Sequence, residues 1–438
     1  MPKFHDEHIP STHLPRVIII GAGFGGIRAA KELIEQRFQV VLFDKNNYHL
    51  FQPLLYQVAT GGLEPGSIAY PIRKIFKGYN NFYFRLAEVN QILPENNVII
   101  TSIGSFHYDY LIIATGSTTN FYGLKDIKEH SFAMKSISQA LDLRSILIQN
   151  MEEAVLTTDK KKLNRLMNYV IVGGGPTGVE LAGALAELRR HVLKNDYHEI
   201  DIPMIQIHLL EAASGLLNGM SPTSGKRAQK FLEKMGVDVW LEAQVESYDG
   251  NLLRVNEEFL IETDTVIWTA GVTGKLIKGF NKPSYNKSRR MLVNNYNQVH
   301  GYHNVFAIGD VAAMIADDLP NGHPMIAPVS IQQGKNTAIN IQRLHKSKEP
   351  RPFKYRDKGS MATIGRNKAV AELAGLKFFG FTAWVIWMAV HLISLIGFRN
   401  KLMVFLDWVW NYISFDKALR LIIRPYSKYK YKRNKNLK

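Results

Sequence analysis

At 438 residues, 46% of them apolar and 21% charged, the chain is long enough for two or three domains and too apolar to be disordered. It has no cysteine, which excludes disulfide scaffolds, thiolate metal sites, iron–sulfur clusters and redox-active thiol pairs. Its net charge of +16 is uneven: from Arg399 to Lys438 eleven Lys/Arg face two Asp/Glu, which points to an anionic surface, either lipid headgroups or nucleic acid.

In chain order, residues 1–13 are polar, lack the apolar run of a secretory signal, and read as a flexible leader. A strand over 16–20 runs into Gly21-Ala22-Gly23-Phe24-Gly25-Gly26, a helix over 25–36, and a strand over 39–44 that closes on Asp44, followed by Lys45. The stretch 46–71, rich in Gly, Pro and aromatics, reads as irregular. A strand over 110–114 ends in Ala114-Thr115-Gly116, and a helix over 136–151 and a basic linker over 160–165 follow. A second strand-turn-helix pattern starts at 169–172 with Gly173-Gly174-Gly175-Pro176-Thr177-Gly178 and a helical stretch over 179–186. Its next strand, 205–210, closes on Glu211, with the polar stretch 191–201 lengthening the helix or adding a loop before it. A strand over 264–268 leads into Thr269-Ala270-Gly271, and a short apolar strand leads into Gly309-Asp310. Residues 378–398 are almost wholly apolar with His391 their one titratable group, 401–415 carry Trp408, Trp410, Tyr412 and Phe415, and 424–438 form a Lys/Tyr run.

One GxGxxG is a weak signal. Two of them, each at a strand-turn-helix junction, let the backbone approach a pyrophosphate at a helix N-terminus, and each has a carboxylate on a following strand to accept from a ribose hydroxyl. Asp44 and Glu211 are those acids. Glu211 would repel a 2′-phosphate, and Ala212 and Ala213 offer no arginine to receive one, so the second nucleotide is expected to be NADH rather than NADPH. Thr115, Gly116, Gly309 and Asp310 are expected to complete a first site for a flavin, FAD, and Ala270 and Gly271 are further expected cofactor contacts. The fold class expected is α/β: two Rossmann-like dinucleotide-binding domains and a C-terminal helical region that associates with a membrane. The expected division is 1–13 leader, 14–128 with 270–345 for FAD, 129–269 for NADH, 346–423 for quinone and membrane, and 424–438 as basic tail.

These motifs, from Gly21–Gly26 to Gly309-Asp310, resemble the two-dinucleotide-binding flavoprotein superfamily. Within it the chain most resembles the type II NADH:quinone oxidoreductases, on Tyr48-His-Leu-Phe-Gln-Pro-Leu-Leu-Tyr56, Gly173–Glu180, Ile331-Gln332-Gln333-Gly334 and Gly359-Ser-Met-Ala-Thr-Ile-Gly365-Arg366. The resemblance implies electron transfer from NADH through FAD to a membrane quinone, ubiquinone or menaquinone, without proton pumping. It implies that Glu180 lies near flavin and nicotinamide, that Gln332 and Gln333 line the quinone site, and that Lys358 is a proton or charge partner of the reduced quinone. The sequence departs from the family at Ala327-Pro328-Val-Ser330, where Pro328 stands in place of a glutamine and supplies no amide. The alternative reading is a ferredoxin- or rubredoxin-type reductase of the same superfamily.

The apolar segment 378–398 is long enough to span a bilayer. Trp384, Trp387, His391, Ser394 and Phe398 recur at three- and four-residue spacing, however, which favours a helix lying in the interface. Monotopic attachment to the anionic cytoplasmic face of the inner (plasma) membrane is expected, with Arg399, Lys401, Arg420 and Arg424 near headgroups. A homodimer is a further expectation. No metal centre and no nucleic-acid partner are expected.

Overall fold

The structure, a computed structural model, describes residues 9–280, 284–414, 420–422 and 426. The chain divides into two compact units, 1–50 with 69–118 and 272–357, and 51–68 with 119–271 and 358–438. The sequence division differs at both ends. Residues 51–68 and the described residues from Lys358 onward belong to the second unit, and Ile9, expected in a flexible leader, is 5% exposed in the core of the first. Residues 1–8 of the leader, Phe415 and the tail other than Tyr426 lie outside the described residues.

The first unit is built on a five-stranded parallel sheet in the order Val305–Ala307, Tyr110–Ile113, Arg16–Ile20, Gln39–Asp44, Phe82–Leu86. Within the fingerprint strand Val17, Ile18 and Ile19 are fully buried, as an apolar run covered on both sheet faces must be. The helices Phe24–Ile34 and Ala327–His345 pack on one another beside this sheet. A three-stranded antiparallel sheet, Val89–Leu93, Val98–Thr101 and Gly104–His107, lies around the cluster holding Phe106 and Ile92.

The second unit repeats the plan, with a five-stranded parallel sheet in the order Phe132–Ala133, Thr265–Trp268, Asn168–Val172, Gln206–Leu210, Asp238–Trp240. The fingerprint helix Pro176–Glu187 does run on through the polar stretch, by way of a π-helical turn at Leu188–Leu193 and a last turn to Asp196. The expected basic linker is instead a helix, Lys160–Met167. Asp159 caps it, its Oδ1 accepting from the Lys161 N–H at 2.9 Å, a sequence signal that the charge run hid. The stretch expected to be irregular contains a paired strand in the first unit, Tyr48–Leu50 on Ala69–Pro71, and a short helix Leu55–Ala59 in the second. Tyr426, from the expected tail, is tied to Gln149 by both backbone groups.

C-terminally, Ser360–Gly365, Lys368–Leu373 and Leu376–Phe379 form an antiparallel sheet, followed by helices Gly380–Ser394 and Phe398–Ser414. The two segments read from the sequence, 378–398 and 401–415, thus fall on two helices. The chain turns between them at Gly397, whose φ of +86° a side chain would resist. Among the described residues no helix is long and apolar enough to cross a membrane. The aromatic face expected at the surface turns inward at Trp387, which is 2% exposed, and the outward face carries Phe381, Ile393 and Phe398 at 58%, 72% and 81% exposure. On the second helix three side chains with polar groups point in: Asn400 donates to the carbonyls of Gly66 and Ser67, Trp408 Nε1 to Gln57 Oε1 at 2.9 Å, and Asn411 to Gly62 O at 3.1 Å. Leu402, Phe405, Leu406, Trp410 and Ile413 point out.

Candidate active site

Each glycine loop is shaped by contacts that leave no room for a side chain. A Cβ at Gly21, where φ is +107°, would stand 2.3 Å from Ala114 O, and one at Gly26 would stand 1.9 Å from Gly21 O. The second loop repeats this: Gly173 has φ +111° with Ala270 N at 2.7 Å, and Gly178 would meet Gly173 O at 1.9 Å. Gly23 and Gly175, the N-caps of the two helices, face open space, which is where the donors of a helix N-terminus can meet a pyrophosphate.

The two expected ribose acids share a geometry. Asp44 accepts the Ala22 N–H at 2.7 Å on one oxygen and the Asn46 N–H at 2.7 Å on the other. Glu211 accepts the Gly174 N–H at 2.6 Å and the Ala213 N–H at 2.8 Å. Each carboxylate thus fixes a loop amide as well as standing at its strand end. Burial raises the pKa of Asp44, countered by these two amides and by Lys275 and Lys45. Lys45 itself is exposed.

Around the first loop, Thr115 Oγ1 donates to Lys275 O at 2.6 Å and Ser117 Oγ to Asp310 Oδ2 at 2.6 Å. Gln333, 1% exposed, spends its side-chain oxygen on the Gly309 N–H at 2.7 Å. Gln332 closes a two-bond ring with the Arg356 backbone, at 2.9 Å and 3.0 Å. Pro328 sits in the first turn of Ala327–His345, where a helix needs no N–H. Sequence reasoning missed His49 as a site residue. Its Nδ1 donates to Ala22 O at 2.8 Å and its ring packs edge-on against Phe24 at 5.0 Å, so it holds the glycine loop from below. Burial lowers its pKa and keeps it neutral, and a histidine 27 positions from the loop gave no sequence signal of this role.

Around the second loop, Thr269 Oγ1 donates to Val172 O at 2.8 Å and lies 3.1 Å from Gly173 O, and Gly271 O accepts from the Asn120 N–H at 3.2 Å. Pro176 and Thr177 open the helix on which Glu180 lies one turn later. Glu180 is 8% exposed, and burial pushes its carboxyl up from 4.5 to about 8, against the Thr363 N–H at 3.5 Å and the Trp387 indole. It walls a cavity of about 150 Å³ with Tyr56, Trp384, Trp387, Met388 and Tyr412. The Tyr56 hydroxyl, held protonated by burial, accepts from Gln57 Nε2 at 2.8 Å. His391 stacks on Trp387 at 4.0 Å and donates from Nδ1 to Trp387 O at 2.7 Å, and burial lowers its pKa to about 4. It is therefore neutral at pH 7. Lys358 is exposed at the start of the C-terminal sheet and does not line this cavity.

Comparison with known proteins identifies the framework. The family model described as pyridine nucleotide-disulphide oxidoreductase matches residues 15–334, and that described as NDH2 C-terminal domain matches 358–414. The type II NADH:quinone oxidoreductase Ndh of Mycobacterium tuberculosis is 37% identical over 420 residues, 92% of this chain and 89% of that protein. The mitochondrial internal alternative NAD(P)H-ubiquinone oxidoreductase A1 of Arabidopsis thaliana is 27% identical over 450 residues, 94% of this chain and 87% of its own. The structure of NDH2 from Plasmodium falciparum in complex with NADH shares the fold, with a TM-score of 0.85 at 20% identity over 94% of this chain and all of that one. With the fingerprints of both units intact and a relative at this identity along nearly its whole length, the chain belongs to the pyridine nucleotide-disulphide oxidoreductases and, among them, to the type II NADH:quinone oxidoreductases.

Proposed function

We propose that this chain oxidises NADH and reduces a membrane quinone, with FAD as its bound cofactor and the cavity beside Glu180 as the quinone site. The glycine loop at Gly21–Gly26, open at Gly23 and tied to Asp44, fits the pyrophosphate and ribose of FAD, and that at Gly173–Gly178, tied to Glu211, fits NADH. The flavin supplies the two-electron exchange between nicotinamide and quinone.

The remaining work falls to this chain's side chains. Reduction of a quinone to its quinol consumes two protons with the two electrons. Glu180 carries a proton at neutral pH, because burial among Tyr56, Trp387 and Thr363 has raised its pKa to about 8, within the range where a general acid is both loaded and reactive. Trp384, Trp387 and Tyr412 offer a flat apolar lining to a planar ring and exclude water from it. This buried, loaded carboxyl on an aromatic-walled cavity is the observation that carries the reading. A ferredoxin- or rubredoxin-type acceptor would leave the outward apolar helices without a task.

Those helices support monotopic attachment to an anionic membrane. On the second helix Asn400, Trp408 and Asn411 turn inward onto 57–67, while Ile393, Phe398, Trp410 and Ile413 face out, the reverse of a helix on a water-facing surface. The cytoplasmic face, where NADH is held, is the one inferred. The same faces would also serve a homodimer, which sedimentation in detergent separates from lipid binding. The reading is tested by NADH oxidation with a short-chain quinone, with and without Glu180→Gln: the variant should lose quinone turnover and keep flavin reduction by NADH.

A further inference from the structure

The second unit holds another cavity, of about 40 Å³, between the helix Ile137–Leu156, the π-helical turn Leu188–Leu193 and the strand Gln206–Leu210. Its walls are mostly aliphatic, yet three guanidiniums reach it, and among the described residues no carboxylate does. Two of the three are engaged. Arg189 donates to the carbonyls of Ile205, Met235 and Gly236, and Arg420 pairs with Asp196 at 2.6 Å.

Arg144 is the exception. It is 5% exposed, lines the cavity, and its Nε and Nη1 have no hydrogen-bond partner among the described residues. The carboxylate that acts on it, that of Glu64, does so only through space. The two tyrosine hydroxyls at the cavity do not serve it: Tyr197 donates to Glu152 at 2.7 Å, and Tyr169 is engaged by Asn150. Leaving a buried guanidinium unpaired is costly. A π-turn costs backbone geometry too, and is found most often where a helix makes room for a function.

We propose that this cavity is a binding site for a small monovalent anion, a halide or the carboxylate of a one- to three-carbon acid, anchored by Arg144. The volume admits only a few heavy atoms, which rules out a nucleotide or a lipid headgroup. The aliphatic walls favour a weakly hydrated single charge over sulfate or phosphate, whose desolvation they could not offset. The site is separate from the quinone reading and stands without it.

The test uses the full, flavin-loaded protein in detergent, with thermal unfolding followed in acetate, formate, bromide and sulfate against gluconate at one ionic strength. The midpoint should rise saturably with the monovalent small anions, by about 1–2 °C at ten times the dissociation constant, and not with sulfate. A larger rise with acetate and formate marks a carboxylate as the natural occupant, and a larger rise with bromide marks a halide. Arg144→Met should lose the response. Equal midpoints in all salts, or an undiminished response in Arg144→Met, would overturn the proposal. Should that variant not fold, a bromide-soaked crystal of the unaltered protein decides: an anomalous peak within hydrogen-bonding distance of Arg144 is expected, and its absence refutes the site.

Discussion

Trp387 stacks its indole on His391 one helical turn away, with ring centroids 4.0 Å apart, and the same indole is a group acting on the carboxyl of Glu180. The indole nitrogen has no hydrogen bond of good geometry among the described residues, although Trp387 is almost wholly buried. It is thus positioned to share its proton between the carboxyl and whatever enters the cavity. Trp387→Phe keeps the stack and removes that N–H. Because the indole holds the pKa of Glu180 down, the alkaline limb of quinone reduction should shift to higher pH in this variant, with flavin reduction unchanged. A stopped-flow pH profile of each half-reaction checks this.

Glu180 also leaves a mark on stability. Its folded pKa of about 8 lies above the ordinary 4.5, so between those values the folded chain holds a proton that the unfolded chain has released. More protons on the folded state means that stability falls as pH rises through this window. Glu180→Gln should therefore unfold later than the parent chain at pH 8 and match it more closely near pH 5, by a margin of a few kcal/mol at most. Thermal or denaturant unfolding at several pH values reads the difference.

The two glutamines part company on substitution. Gln333→Leu strands the buried Gly309 N–H, which costs about 1–3 kcal/mol and should release flavin more readily. Gln332→Leu removes two bonds to an exposed backbone and should cost under about 1 kcal/mol. If Gln332 reaches the quinone, its loss slows quinone reduction and spares flavin reduction. Flavin content, unfolding midpoint and the two half-reactions separate these outcomes.

Much of this framework was legible in the chain. Both glycine loops, Asp44 and Glu211 stand where strand-turn-helix geometry requires them, because their roles are local to one βαβ unit. What stayed hidden depends on contacts distant in sequence. Thr363 meets Glu180 across 183 positions, and Trp408 meets Gln57 across 351. No spacing rule reports such pairs. The C-terminal segments misled only in which face they show: 378–398 and 401–415 fall on two helices as read, but spacing could not tell that Trp387 and, on the second helix, Asn400 and Asn411 face inward.

Glu211→Ala removes the acceptor of the Gly174 and Ala213 amides as well as the negative charge at the strand end. NADH affinity should drop about tenfold, as the loss of hydrogen bonds to a charged group implies, while NADPH suffers less, so the preference between them narrows. The ratio of kcat/KM for the two nucleotides measures it.

The proposed membrane attachment rests on side chains that nothing among the described residues covers. Ile393→Glu with Phe398→Glu places charge on the most exposed apolar position of each helix. Partition onto anionic liposomes should fall by at least about tenfold, since each buried apolar side chain is worth roughly 1.5–3 kcal/mol. What binding remains should be more sensitive to salt.

The most direct measurement is anaerobic. Flavin-loaded Glu180→Gln is reduced with one equivalent of NADH and then mixed with a short-chain quinone from pH 6 to pH 9, each phase followed by flavin absorbance. Reduction by NADH should match the parent chain, while reoxidation by quinone should slow by about a hundredfold at pH 7 and lose its decline near pH 8. Reoxidation at the parent rate with the same pH profile would contradict Glu180 as the proton donor at the quinone cavity.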